Sequence, residues 1–174
     1  MIYVAFACRI LLIGVFLTAV AGKARSRTAF AAFERSLAGL GLLPARLSRA
    51  VAVSVIAAES ATVVLLVPAP TVPLGFALGA LLLLGFSAGI ALALRRGRRA
   101  PCRCFGASAA PLGPVHVVRN LLLAAAGAAG AVLVAAGPAD GWPPHPGGAA
   151  IACASALVVV VLTVRLDDLT ELLR

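Results

Sequence analysis

Long apolar segments separated by short polar connections constrain this chain more than any other feature of its sequence. Each segment approaches the roughly 20 apolar residues that a helix needs to cross a bilayer. The segments are rich in Ala and Leu and do not alternate, which favours helices over the strands of a membrane barrel. Only 12% of the 174 residues are charged and 62% are hydrophobic, whereas about a quarter of a soluble domain is charged. The pattern predicts an all-α integral membrane protein.

Four to five transmembrane helices are predicted, in a single domain over residues 1–174. The predicted spans cover about 2–22, 50–67, 74–94, 115–136 and 149–165. The last span has the weakest signal, because its apolar run is near the lower length limit and begins behind Gly147 and Gly148.

The first segment has an alternative interpretation as a cleaved signal peptide, because the Ala-Val-Ala at 19–21 resembles a processing site. Signal peptides carry basic residues before the apolar run. Here no basic residue precedes Arg9, and Lys23, Arg25 and Arg27 follow the run directly. This order favours a retained helix.

The distribution of basic residues predicts the orientation. Of the 15 Lys and Arg residues, six lie between the first and second spans and six lie between or at the edges of the third and fourth. The connections at 68–73 and 137–148 contain none. Because short loops rich in Lys and Arg stay in the cytoplasm, we expect the N-terminus outside and the C-terminus inside the plasma or inner membrane of the cell. The net charge of +9 lies in these loops, so the expected partner is the lipid bilayer and not nucleic acid.

The segment from Ala24 to Ser48 is long enough for an amphipathic helix at the membrane interface. On a helical spacing, one side carries Phe30, Phe33, Leu37 and Leu40 and the opposite side carries Arg27 and Arg35. A plain cytoplasmic loop is the alternative.

Two ionisable residues fall inside predicted spans, Arg9 in the first and Glu59 in the second. Counted from the outer ends at about 1.5 Å per residue, both lie roughly 10–12 Å deep. Charges in membrane spans tend to face the bundle interior and to pair, so we predict an Arg9–Glu59 ion pair. In the alternative, Arg9 extends to the interface and Glu59 is protonated. Asn120 is a further polar residue, predicted to bond across helices or to cap the neighbouring cysteine connection.

Cys102 and Cys104 form a Cys-Arg-Cys motif in an arginine-rich connection. Nearby positive charge stabilises a thiolate, so these thiols are candidates for redox chemistry. One intervening residue makes a mutual disulfide strained and easily reduced. A metal site with His116 as third ligand is the rival, although it lacks the ligands that a closed zinc site needs, and we predict no metal or cofactor. In a third interpretation the cysteines are incidental.

Cys8 and Cys153 fall inside the first and fifth spans at similar predicted depths. Single cysteines in membrane helices usually act as small hydrophobic residues. If the two helices are neighbours, these residues are candidates for a second thiol pair near the opposite face. Two dithiols at opposite faces would suit transfer of reducing equivalents across a membrane.

The same residues carry a family resemblance. Ala21-Gly22-Lys23 after a span with Arg9, the Leu-Leu-Pro at 42–44 and Glu59 resemble DoxX-like membrane proteins. The more specific motif is Cys102-Arg103-Cys104-Phe105-Gly106, followed by Val118-Arg119-Asn120 at the start of a span. This combination resembles MauE, the methylamine utilisation membrane protein, over nearly the whole chain.

The resemblance implies a multi-pass membrane protein that assists maturation, processing or transport of the methylamine dehydrogenase light subunit. That subunit is rich in disulfides and carries a quinone cofactor made from tryptophan. The resemblance also implies a thioredoxin-like partner of the MauD type. Many MauE-like proteins occur without the dehydrogenase, so the client here can be another exported protein.

Three functions therefore remain open. In the first, Cys102 and Cys104 perform thiol–disulfide exchange with a thioredoxin-like partner. In the second, Arg9 and Glu59 line a path for a small solute or a proton. In the third, the bundle is a membrane scaffold. The connections are too short for an added catalytic domain, which argues against a stand-alone hydrolase or transferase.

Overall fold

Six helices make up most of the computed structural model, which describes residues 1–42, 44–97, 113–136 and 145–172. The helices are α1 (Ile2–Ala24), α2 (Arg27–Gly39), α3 (Ser48–Leu65), α4 (Val72–Arg95), α5 (Pro114–Ala135) and α6 (Pro146–Leu172). Short 3₁₀ turns at Ala45–Leu47 and Ala69–Thr71 precede α3 and α4. No strand occurs in these ranges, and five of the six helices are long and apolar enough to cross a membrane. The predicted all-α membrane fold is confirmed, whereas the orientation of the termini stays a prediction.

Helix α2 is the short helix between the first two spans. Its N-terminus is capped by Ser26, whose hydroxyl oxygen accepts the Ala29 N–H at 3.0 Å, and this satisfies a backbone donor that the helix leaves unpaired. Ala32 and Phe33 are its buried residues. The predicted amphipathic helix is confirmed over the loop alternative, while its position at the membrane interface stays a prediction.

Four spanning helices form a closed ring. Helix α1 packs against α3, α3 against α4, α4 against α5, and α5 against α1. The residues inside this ring are mostly large and apolar: Leu12, Phe16, Phe76, Leu83 and Leu123. Outward-facing residues such as Leu81, Leu122 and Val132 are more than half exposed, which suits contact with lipid.

Glycines allow α4 and α5 to pack closely and fix how the two helices align. A Cβ atom on Gly130 would lie 2.5 Å from the Phe76 ring, and one on Gly127 would lie 3.6 Å from the Ala80 Cβ atom. Residue numbers therefore fall along α5 as they rise along α4, so the helices are antiparallel. Small residues at such contacts let membrane helices gain dispersion contacts that larger side chains would prevent.

Helix α6 lies outside the ring and packs against α1. The approach is close at two glycines: a Cβ atom on Gly14 would lie 2.8 Å from Val160 Cγ2, and one on Gly148 would lie 2.3 Å from Tyr3 Cε1. The predicted fifth span is thus a helix that begins at Pro146, a residue well suited to the first helical position.

Candidate functional site

A buried ion pair joins α1 and α3 inside the ring. Lys23 Nζ donates to both carboxylate oxygens of Glu59, at 2.7 Å to Oε1 and 3.0 Å to Oε2. Only 2% of the Lys23 side chain and 1% of the Glu59 side chain are exposed. Charges removed from water are costly unless they are paired, and paired charges inside membrane bundles are typical of functional sites.

Side-chain direction explains how these two residues meet. Lys23, near the end of α1, contacts the middle of α3, whereas Arg9, near the start of α1, contacts the end of α3. The two helices are therefore antiparallel. Helical side chains lean toward the N-terminus of their own helix. In two antiparallel helices these directions are opposite, so the Lys23 side chain leans back into the bundle and the Glu59 side chain leans toward Lys23.

Helix α2 covers this ion pair. Lys23 Nζ lies 5.1 Å from the centroid of the Phe33 ring, within the range of a cation–π contact. Phe33 is buried, and α2 is further joined to α3 by a long hydrogen bond of 3.5 Å from Ser48 Oγ to Glu34 Oε1. The site is therefore built from three helices, with the aromatic ring of α2 over the ammonium group.

Arg9 binds the C-terminal end of α3. Its Nε donates to the Leu66 carbonyl at 2.6 Å, and its Nη2 donates to the Val67 carbonyl. Carbonyls at a helix C-terminus lack intrahelical donors and carry the negative end of the helix dipole. Arg9, which is buried, thus holds the start of α1 against the end of α3.

The predicted Arg9–Glu59 ion pair is wrong, because Glu59 binds Lys23 and Arg9 binds backbone carbonyls. The backbone positions of Arg9 and Glu59 have similar predicted depths, but the two side chains lean apart, Arg9 toward the start of α1 and Glu59 toward the start of α3. From the sequence, Lys23 was expected in a basic loop. Its place in the last turn of α1, with a long side chain leaning inward, is the signal that was missed.

Polar residues of α5 and α4 also face the ring. Ser87 of α4 and Asn120 of α5 are buried, and the alignment of these helices places them at about the same level. Ser87 Oγ donates to the Leu83 carbonyl of its own helix at 2.8 Å. Neither polar side-chain atom of Asn120 has a hydrogen-bond partner, so the cross-helix bond predicted for it does not form. The alternative cap on the cysteine connection lies outside the described residues.

Cys8 and Cys153 lie on neighbouring helices, as the predicted second thiol pair requires, since α6 packs against α1. Both are free, partly buried thiols in the structure. Cys8 lines a groove of about 420 Å³ between α1 and α6, together with Tyr3 and Ala152. The two helices are thus neighbours without a disulfide between these cysteines.

Cys102 and Cys104 lie outside the described residues, and so does the rival metal site that would combine them with His116. The structure describes the residues on either side of this connection, up to residue 97 and from residue 113 onward. Helix α4 ends at Arg95 and α5 begins at Pro114, and the antiparallel packing brings both ends to the same end of the ring. His116, in the first turn of α5, is buried there.

Comparison with known proteins identifies the family. A family model described as Methylamine utilisation protein MauE matches residues 1–136. The chain belongs to the MauE family. No curated protein and no solved structure matches it. The MauE match covers α1 to α5 and therefore the whole ring with its Lys23–Glu59 ion pair, and it supports a methylamine utilisation membrane protein that crosses the membrane several times.

Proposed function

We propose that this MauE-family protein assists maturation, processing or export of a disulfide-rich exported protein, by thiol–disulfide exchange between Cys102–Cys104 and a thioredoxin-like partner. In the family the client is the methylamine dehydrogenase light subunit. The protein acts in the plasma or inner membrane with the cysteine connection on the cytoplasmic side. The observation that carries the proposal is the position of the Cys-Arg-Cys motif in an arginine-rich connection between two closely packed helices.

The packing of α4 and α5 supports this assignment. Because the two helices are antiparallel neighbours, both ends of the connection are held at one end of a rigid ring. Arg95 and Arg96 precede the motif, and positive charge nearby favours the thiolate, which is the nucleophile in exchange. The interior of the ring is mostly apolar in the described residues, and we therefore expect a partner's disulfide to react at the connection and not inside the ring.

The exchange conserves atoms and electrons. A thiolate of the pair attacks a sulfur of the partner's disulfide, and the other partner sulfur leaves as a thiolate. The second cysteine of the pair then attacks the mixed disulfide. The partner leaves as a dithiol and Cys102–Cys104 becomes a disulfide, so two electrons pass to the partner. The reverse sequence oxidises a partner dithiol.

Trapping the mixed disulfide tests the proposal. In a Cys104→Ser variant the intermediate on Cys102 lacks its resolving thiol, so we expect a covalent complex in acid-quenched, alkylated cells that disappears on reduction. Mass spectrometry of the trapped protein should identify a thioredoxin-like protein or an exported client. A Cys153→Ser variant is the matched control and should trap nothing. If no complex forms with Cys104→Ser or with Cys102→Ser, thiol exchange by this pair is excluded.

A second candidate function, transport of a small solute or a proton through the bundle, is favoured by the Lys23–Glu59 ion pair inside the ring. Glu59→Gln keeps the size of the side chain and removes its charge. Loss of uptake in reconstituted vesicles with unchanged thiol trapping would favour transport over redox chemistry. If neither assay changes, a scaffold role remains.

A further inference from the structure

The end of the ring from which the cysteine connection leaves is strongly basic. A Cβ atom on Gly75 of α4 would lie 2.8 Å from Leu66 Cγ. One on Gly79, a turn later, would lie 3.2 Å from Thr62 Cγ2, a turn earlier on α3. Helix α4 is therefore antiparallel to α3, as α1 is, so α1 and α4 end where α3 begins. Seven exposed arginines at this end form what we call the basic surface: Arg25, Arg27, Arg35, Arg46, Arg49, Arg95 and Arg96.

Helix α2 runs across this end of the ring. It begins directly after α1, and Leu40, which follows α2, packs against the buried Ile90 of α4. Arg96 Nη1, just beyond α4, donates to the Gly41 carbonyl at 3.4 Å. These contacts bring the arginines of α2 next to those at the end of α4, where the cysteine connection starts.

The charge of the basic surface is not neutralised by any carboxylate that the structure describes. Glu34 is partly buried at the same end, and Glu59 has its partner inside the ring. None of the seven arginines forms an ion pair with a described residue. Arg35 and Arg96 donate only to backbone carbonyls. A concentration of one sign of charge attracts a partner of the opposite sign.

We propose that the basic surface docks an acidic face of the protein that exchanges disulfides with Cys102 and Cys104. This inference rests on the thiol exchange proposed above and concerns how the partner is held. Cys102 follows Gly97 by five residues, a length of chain that spans at most about 18 Å. A partner on the basic surface is therefore within reach of the pair. Complementary charge speeds encounter and orients the partner.

An anionic membrane surface is the alternative occupant, because basic residues beside membrane spans also bind anionic lipid. A helix that binds membrane keeps an apolar side for the lipid. In α2 the buried residues Ala32 and Phe33 belong to its apolar side, and Phe33 covers the ion pair. The arginines also come from several elements around the start of the cysteine connection. Both observations favour a protein partner.

Binding to the full-length protein tests the proposal without dependence on thiol exchange. The Cys102→Ser/Cys104→Ser protein is placed in phosphatidylcholine nanodiscs, and its affinity for a purified acidic thioredoxin is measured at low and high salt. We expect binding that weakens as salt is raised. Arg27→Gln/Arg35→Gln should weaken binding at low salt about fivefold, the effect of two exposed charge contacts. Arg27→Lys/Arg35→Lys is the matched control and should retain most of the affinity, because both charges remain.

A second pair of arginines keeps the test decisive if the first variant does not fold. Arg46→Gln/Arg49→Gln changes the start of α3 and should also weaken thioredoxin binding. Binding that is absent, independent of salt, or of parental strength in both Gln variants would overturn the proposal. If these variants instead lose bound phosphatidylglycerol, counted by native mass spectrometry, the basic surface belongs to lipid.

Failure of docking and failure of exchange give different results. Salt-dependent thioredoxin binding without any trapped complex in Cys104→Ser would exclude the exchange and leave a docking surface. A trapped complex that forms at the parental rate in Arg27→Gln/Arg35→Gln would keep the exchange and exclude docking on this surface.

Discussion

The ring of α1, α3, α4 and α5 and the outer helix α6 use the same kind of apolar sequence in different ways. Each helix of the ring has two neighbours in it, so the ring encloses an interior in which Lys23 and Glu59 form an ion pair. Helix α6 packs against α1, and the two helices approach closely at Gly14 and Gly148. The MauE match covers the ring and ends at residue 136, before α6 begins. A closed set of helices can thus accommodate a buried ion pair in its interior, whereas the outer helix is held against α1 mainly by close packing at small residues.

Removal of Lys23 should have the largest effect on the ring. Lys23→Met leaves the Glu59 carboxylate buried without its partner, and we expect it to lower the free energy of unfolding by about 3–5 kcal/mol. Denaturation in mixed micelles followed by circular dichroism measures this change. The Lys23→Met/Glu59→Leu double variant should recover much of the loss, because no charge then remains unpaired. A single variant as stable as the parent would show that the ion pair is not a structural requirement of the ring.

Arg9 should matter less, and independently of Glu59. Arg9→Gln removes charged hydrogen bonds to the end of α3 and should cost about 1.5–3 kcal/mol. A double-mutant cycle sharpens the contrast: Lys23 and Glu59 should be strongly coupled, whereas Arg9 and Glu59 should be additive to within about 0.5 kcal/mol. A large coupling energy between Arg9 and Glu59 would instead support the ion pair that was predicted from the sequence.

Attachment of α6 should be disturbed without loss of the ring. Gly14→Leu places atoms where Val160 packs, and overpacking of this kind costs about 1–3 kcal/mol. We expect proteases to cleave α6 faster in this variant. The ring should keep its circular dichroism signal for helix, and the coupling energy between Lys23 and Glu59 should be unchanged. Gly85→Ala is the matched control, because a Cβ atom there meets nothing within 4 Å. Loss of the whole fold in Gly14→Leu alone would mean that ring and outer helix are one cooperative unit.

The contact between α2 and the ion pair should have the smallest effect. Phe33→Leu keeps an apolar side chain but removes the cation–π contact with Lys23, and we expect a loss of about 0.5–2 kcal/mol. Phe30→Leu on the same helix is the control, since Phe30 is less buried than Phe33. If Phe33→Leu and Phe30→Leu lower the free energy of unfolding equally, Phe33 contributes apolar packing and no measurable cation–π contact.

Much of the fold could be predicted because span length and hydropathy are properties of local sequence. The apolar runs predicted four to five spans, of which the structure has five, and the spacing of Phe30, Phe33, Leu37 and Leu40 predicted α2. The candidate site was predicted only in part. Arg9, Glu59 and Asn120 were identified as polar residues inside spans, but Lys23 was missed and the partners of Arg9 and Glu59 were assigned wrongly.

Local sequence is enough to predict a multi-pass helical membrane protein, since each spanning segment must satisfy its own backbone and bury its own apolar surface in lipid. The cysteine motif and the residues around it carried the resemblance to the MauE family, which the family match confirms. Tertiary packing is needed to explain which helices close into a ring, why α6 stays outside it and why Glu59 meets Lys23. These contacts depend on how each packed helix is rotated and aligned, and on the direction in which its long side chains lean. They join residues that are distant in the sequence, so no single segment is sufficient to predict them.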